Sequence, residues 1–246
     1  MINISHYDEL KTIGVLAESL DLMLENEPEW TEKLVTLVHQ TQVNTILDPK
    51  LVILIRLCID VTATHLYESG IQRHIQQALK LGIHQSEILE VFKLASVVGI
   101  HSCALGVPIL KNELIVAGIS EAIVTTKAFT PICDEMKLQG NFNPLWETLY
   151  EWDPVYLEDF LKMATHAWTN GILPPLWIEL LCIAGDATIT HMWAPGTQRH
   201  MQAALALGAS SEQILAVLKI VSLQGIEACE LGSTVLKNLL KENTSS

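Results

Sequence analysis

The chain has 246 residues, 49% of them hydrophobic and only 17% charged, against a usual charged share of roughly 25%. Fifteen basic side chains stand against 28 acidic ones, a net charge of -13. Such a chain has too much apolar surface to be disordered, and it lacks the basic footprint that nucleic acid or an anionic membrane surface requires.

Mean hydropathy is +0.30, so a membrane span has to be tested. The charge-free stretch Leu94–Leu110 is 17 residues long, at the lower end of the roughly 17–25 that cross a bilayer. Ser96, His101 and Ser102 interrupt it, and it reads as a buried helix. The first residues, Met1 to Glu9, show neither a basic start nor an apolar run, so a cytoplasmic location is expected. Cys58, Cys103, Cys133, Cys182 and Cys229 form no Cys-x-x-Cys and read as reduced, mostly buried thiols.

In chain order, apolar residues recur at helical spacing through Leu10, Ile13, Leu16, Leu20 and Met23. Pro28 predicts the start of a second helix and Pro49 of a third, because a missing N–H costs nothing at the first helical position. A long helix is expected over Leu51–Tyr67, broken by Gly70. A short helix then carries Gln72, Arg73 and His74 and ends at Gly82, a left-handed cap. The next opens with Ser86 near its N-cap. The last holds Gly99 and Gly106. Glycine inside a helix costs about 1 kcal/mol relative to alanine, so this pair predicts close helix–helix contact.

The pattern then repeats. Shifted by 126 positions, the chain aligns on itself without a gap, most closely where Asp60–Leu114 faces Asp186–Leu240, with 27 identities in 55 positions. Pro154, Trp177–Trp193, Gly196, Gly208, Gly225 and Gly232 match the features just named. No stretch alternates convincingly as a strand. The expected fold is all-α: two homologous units, 1–120 and 127–246, packed as a pseudo-twofold pair.

Four histidines occur as repeated pairs, His65/His191 and His74/His200, and histidine suits proton transfer near neutral pH. Either pair reads as acid/base groups or as structural rings filling a polar seam. Of the three arginines, two form the pair Arg73/Arg199. A planar guanidinium grips a substrate carboxylate or closes a salt bridge, and both readings stand. Asp60/Asp186 lie in apolar helices and need partners if buried, either a histidine or the arginines. Gln72/Gln198 are candidate hydrogen-bond donors. Tyr67/Trp193 are candidate pocket walls or, for Trp193, an interface anchor. Thr64/Thr190 read as back-bonding within their helices. A metal set of His65, His74 and His101, or of His191, His200 and Glu227, has no supporting local spacing, so neither a metal nor any other cofactor is expected.

A His eight residues before a Gly, as His74–Gly82 and His200–Gly208, followed by an acidic-apolar helix start, resembles the carboxymuconolactone decarboxylase family, which shares its fold with alkylhydroperoxidase D. The stretch "ILPPLWIELLCIAGDATITH" is similar to the family's Glu-bearing helix and puts Glu179 in the Glu position. The resemblance covers roughly residues 28–115 and 154–241. It implies His74 and His200 as the functional histidines, and a trimer of fused pairs where single-unit relatives form hexamers. Two features depart from it. The Cys-x-x-Cys positions of the alkylhydroperoxidases hold Tyr67 and Gly70, and Trp193 and Gly196, which disfavours thiol peroxidase chemistry. Ile53 stands opposite Glu179. The leading expectation is a cofactor-free enzyme that acts on a small organic acid or lactone by histidine acid/base chemistry. His74, His200, Glu179, His65 and His191 would be catalytic, and Arg73, Arg199, Gln72, Gln198, Tyr67 and Trp193 would bind substrate. The alternative is a non-catalytic ligand-binding or assembly protein on the same fold.

Overall fold

The computed structural model describes residues 4–43, 45–120 and 128–244; the expected unit boundary, residues 121–126, falls outside these. The first half runs α1 (Ile4–Thr12), α2 (Asp21–Asn26), α3 (Pro28–Gln42), α4 (Pro49–Val61), α5 (Glu68–Lys80), α6 (Gln85–Val97) and α7 (His101–Val116). The second runs α8 (Pro131–Leu138), α9 (Glu147–Trp152), α10 (Pro154–Ala164), α11 (His166–Thr169), α12 (Pro175–Ala187), α13 (Ala194–Ala206), α14 (Ser211–Ser222) and α15 (Glu227–Thr244). No strand occurs among the described residues. The starts of α2 to α7 recur 126 residues later at α9, α10 and α12 to α15.

Local chemistry explains these boundaries. Proline opens α3, α4, α8, α10 and α12. The Asp48 carboxylate accepts from Lys50 N at 2.8 Å, and Asp153 accepts from Tyr156 N at 3.0 Å. His84 rather than Ser86 is the N-cap of α6, with Glu87 closing a capping box, and Ser210 with Gln213 does the same for α14. Gly82 and Gly208 take the left-handed conformation, with φ of 70° and 91°.

The centre of the molecule is α4 against α12. Leu54, Ile55, Leu57, Leu180, Leu181 and Ile183 are almost wholly buried there. Gly185 lets the two helices approach, and Cys58 Sγ lies 3.5 Å from the Leu181 carbonyl. Helix α5 packs on α4 and α13 on α12, while α6 and α14 each touch both central helices. The two final helices cross over. Helix α7 packs against α9 and residues 144–146 of the second half, and α15 packs against α2 and residues 18–20 of the first.

Three expectations are corrected. The long helices stop at Val61 and Ala187, and a connection precedes α5 and α13 in which Leu66 and Met192 take positive φ, 49° and 52°. Gly70 and Gly196 therefore sit inside the following helices, each with its Cα against the Asp60 or Asp186 carboxylate. Second, Gly99, Gly106, Gly225 and Gly232 make no close helix contact within the described chain, since a Cβ added at any of them meets nothing within 4 Å. Third, Leu94–Leu110 is not one buried helix. A 3-10 turn at Val98–Ile100 separates α6 from α7, and Leu105, Ile109 and Leu110 are exposed. By length and composition the run Gln85–Val116 could cross a membrane, but its α6 part lies in the core.

Gly70 supports a prediction. Alanine usually stabilises a helix interior by about 1 kcal/mol over glycine. Here the added Cβ would lie 2.5 Å from Asp60 Oδ2, in a carboxylate held by His74. Gly70→Ala is therefore expected to lower stability by about 1–3 kcal/mol. Urea denaturation measures this directly, and a raised midpoint would contradict the packing described.

Candidate active site

The crossover of α7 and α15 builds two polar clusters, each from both halves. In the first, the His74 ring donates to the Asp60 carboxylate, and both side chains are 1% exposed. The His65 ring meets the Glu227 carboxylate of α15. Glu230, 2% exposed, accepts from Arg73 at 2.9 Å, from the Tyr67 hydroxyl at 3.2 Å and from Ala17 N at 3.3 Å. Arg56 donates to the Gln42 side chain and, at 2.9 Å, to the Val15 carbonyl. Burial and then the Glu227 charge push the Asp60 carboxyl up to about 9. Glu227 is also raised by burial, so the Asp60–Glu227 pair holds a proton. Burial, with Arg56 and Arg73 nearby, keeps His74 neutral, well below the ordinary histidine value. A cavity of about 10 Å³ beside Asp60 and Glu227 has room for one water molecule.

The second cluster has other chemistry. His200 Nδ1 lies 2.7 Å from Glu179 Oε2, and the Trp168 indole donates to Glu179 Oε1 at 2.6 Å. His200 Nε2 lies 4.0 Å from Asp186 Oδ2. The first cluster has Ile53 at the position of Glu179, so His74 turns to Asp60 instead. His101 of α7 meets His191, ring nitrogens 2.8 Å apart, and stacks on Trp193 at 4.8 Å. Burial lowers His101 to about 3 and His191 below its ordinary value, so both rings are neutral at pH 7. Burial raises Asp186 to about 6, although His200 and Arg199 pull it back.

The decisive difference lies at the arginines. Arg73 is neutralised by Glu230. The residue 126 positions before Glu230 is Ala104, so Arg199 has no such partner. Among the described residues no carboxylate reaches ion-pairing distance of Arg199; its guanidinium lies 5.5 Å from the centre of the Trp146 ring. The His200 side chain also keeps 13% of its surface accessible, against 1% for His74.

The sequence-predicted residues therefore divide. His200, Glu179, Arg199, His191 and Trp193 lie in the second cluster. His74, His65, Arg73 and Tyr67 are locked into the first. Gln72 and Gln198 stand on exposed faces, and Gln72 bonds Glu68 at 3.2 Å, so neither lines a cluster. Thr64 and Thr190 bond each other across the halves at 3.2 Å rather than back-bonding. Neither metal set weighed from the sequence forms, because His101 joins His191 and Glu227 joins His65. Sequence reasoning missed Glu230, Trp168, Arg56 and Trp146. Ala104 opposite Glu230 in the self-alignment was the available signal.

No family model matches the chain, and no curated protein does. A crystal structure from Burkholderia xenovorans, provisionally assigned as a gamma-carboxymuconolactone decarboxylase subunit, superposes with a TM-score of 0.88. It is 32% identical, over 98% of each chain. The chain belongs to the carboxymuconolactone decarboxylase family. Within that family frame, all five cysteines are unpaired, and burial pushes Cys58 and Cys133 up to about 12 and raises Cys182. Such thiols are poor nucleophiles at neutral pH, which gives no support to peroxidase chemistry.

Proposed function

We propose that the protein is a decarboxylase of small organic acids or lactones, cytoplasmic, working at the second cluster with Arg199 and His200 in the leading roles. The observation that carries this reading is the unpaired Arg199 guanidinium beside a carboxylate-oriented histidine. Arg199 grips a substrate carboxylate. As the bond to the departing carboxylate breaks, CO2 leaves and the electron pair passes into the conjugated carbonyl as a dienolate. His200 then delivers a proton to carbon and recovers it from water. Glu179, itself held by Trp168, fixes the ring through Nδ1 and leaves Nε2 for transfer. Trp193 and His191 wall the site.

The closed first cluster favours a second reading for that half: a scaffold with a retired site. Its histidine is sealed and its arginine neutralised. The test is decarboxylation of 4-carboxymuconolactone, followed by ultraviolet absorbance, in the wild type, His200→Ala and His74→Ala. Turnover should vanish with His200 and persist in folded His74→Ala protein. No turnover in the wild type would reject that substrate and put ligand binding first.

The reading includes self-association. Leu105, Ile109 and Leu110 on α7 and their counterparts Leu231, Val235 and Leu236 on α15 are about half exposed, an apolar surface that a copy of the chain would cover. A trimer is expected by light scattering, and a monomeric mass would remove this part of the reading.

A further inference from the structure

Beside Arg199 and His200 lies a group that the decarboxylation scheme uses only as a wall. His101 Nδ1 is 2.8 Å from His191 Nε2 and 3.8 Å from Asp186 Oδ1. One ligand atom from each of the three residues lies within 4.8 Å of the others. Asp186 is 3% exposed, and its Oδ2 has no hydrogen-bond partner. The three side chains come from α7, α12 and the connection after α12. We propose that His101, Asp186 and His191 bind one divalent transition metal, zinc or a close relative, which joins α7 to the second half.

Two neutral imidazoles whose nitrogens face each other share one proton at most. The other arrangement that uses both lone pairs is a common cation. Tetrahedral zinc with bonds of about 2.0–2.1 Å holds its donors about 3.3 Å apart. The observed 2.8 and 3.8 Å bracket that spacing, so small ring movements suffice. Two imidazoles and a carboxylate are a zinc-type donor set, and three protein donors leave a fourth position for water.

The matched group, Asp60, His65 and Glu227, is equally close, and Asp60 Oδ1 likewise lacks a hydrogen-bond partner, but fixed positive charge already surrounds it. Asp60 accepts from His74, and the guanidiniums of Arg56 and Arg73 supply positive charge. In the second cluster Cys182 stands where the first has Arg56, and His101 stands where it has Glu227. A fixed guanidinium has been lost and an imidazole gained around the same buried aspartate. The proposal does not depend on the decarboxylase reading, and its test does not use turnover.

Full-length protein dialysed against a chelator is titrated with Co²⁺ and then with Zn²⁺. One saturating equivalent per chain, a visible cobalt spectrum displaced by zinc, and a raised melting temperature are expected. His191→Gln should weaken binding by at least about tenfold, the scale on which even outer-shell changes act, while His65→Gln leaves it unchanged. Zinc-edge X-ray absorption on the loaded wild type should count two imidazoles, and it answers the question even if a variant misfolds. No saturable binding overturns the proposal. So does binding that survives His191→Gln and falls instead with His65→Gln or with His39→Gln, in the separate His6–Glu9–His39 group. Fewer than two imidazoles in the absorption spectrum also overturns it.

Discussion

Arg73→Ala should unfold the protein more easily without touching the chemistry, and Arg199→Ala should do the reverse. Glu230 is almost fully buried, and Arg73 is its direct cation at 2.9 Å. Removing one partner of a buried pair leaves an uncompensated charge and costs about 3–5 kcal/mol. The loss appears as a lower urea midpoint, with turnover per folded molecule preserved. Among the described residues Arg199 has no ion pair to lose, and its contact with Trp146 contributes about 1 kcal/mol or less. Its removal takes a charge-assisted grip from the substrate, worth about 1.5–3 kcal/mol, so kcat/KM falls by a factor of about 10–150. Equal losses of activity in the two variants, at equal folded fraction, would sink the assignment of the site to the second cluster.

The second large effect is a fall in stability as pH rises above neutrality. Asp60 holds its proton in the fold up to about 9, whereas an unfolded aspartate loses it at about 3.9. A raised acid stabilises the fold only where the unfolded chain is also protonated, so its contribution is lost as pH climbs from the unfolded toward the folded value. His74, His101 and His191 act oppositely, since their folded values are lowered. Their effect is confined below the unfolded histidine value of about 6.5. Cysteines enter only near about 8.5. Between these limits the Asp60–Glu227 proton stands alone, and the slope approaches about 1.4 kcal/mol lost per pH unit. Asp60→Asn keeps an acceptor for His74 and an N–H toward Glu227 but has nothing to titrate. It should stay folded and flatten the slope in denaturation curves taken across that window. An unchanged slope would show that the proton is elsewhere.

The same residues show what was legible in the chain. Helix starts followed from Pro28, Pro49 and Pro154, and helix ends from Gly82 and Gly208, because caps and proline act within a turn of where they stand. Glu179 and His200 were each singled out by the family resemblance, but that they meet, at 2.7 Å, is seen only in the structure. The Gly70 reading failed for a tertiary reason: the glycine makes room for a carboxylate ten residues earlier, not for a break in the helix. Gly99 and Gly106 failed likewise, because local cost was taken as evidence of a contact that the described chain does not make.

By itself, then, the sequence determined an all-α chain with a matched set of polar residues 126 positions apart, since period, caps and identity are local or additive properties. Only the tertiary structure decided which half leaves its arginine without a carboxylate among the described residues. That depends on α7 and α15 crossing over, which sets Glu230 against Arg73 across 157 positions and leaves Ala104 on the other side. A side chain's charge is read from one position, but whether it is neutralised depends on what the fold brings against it.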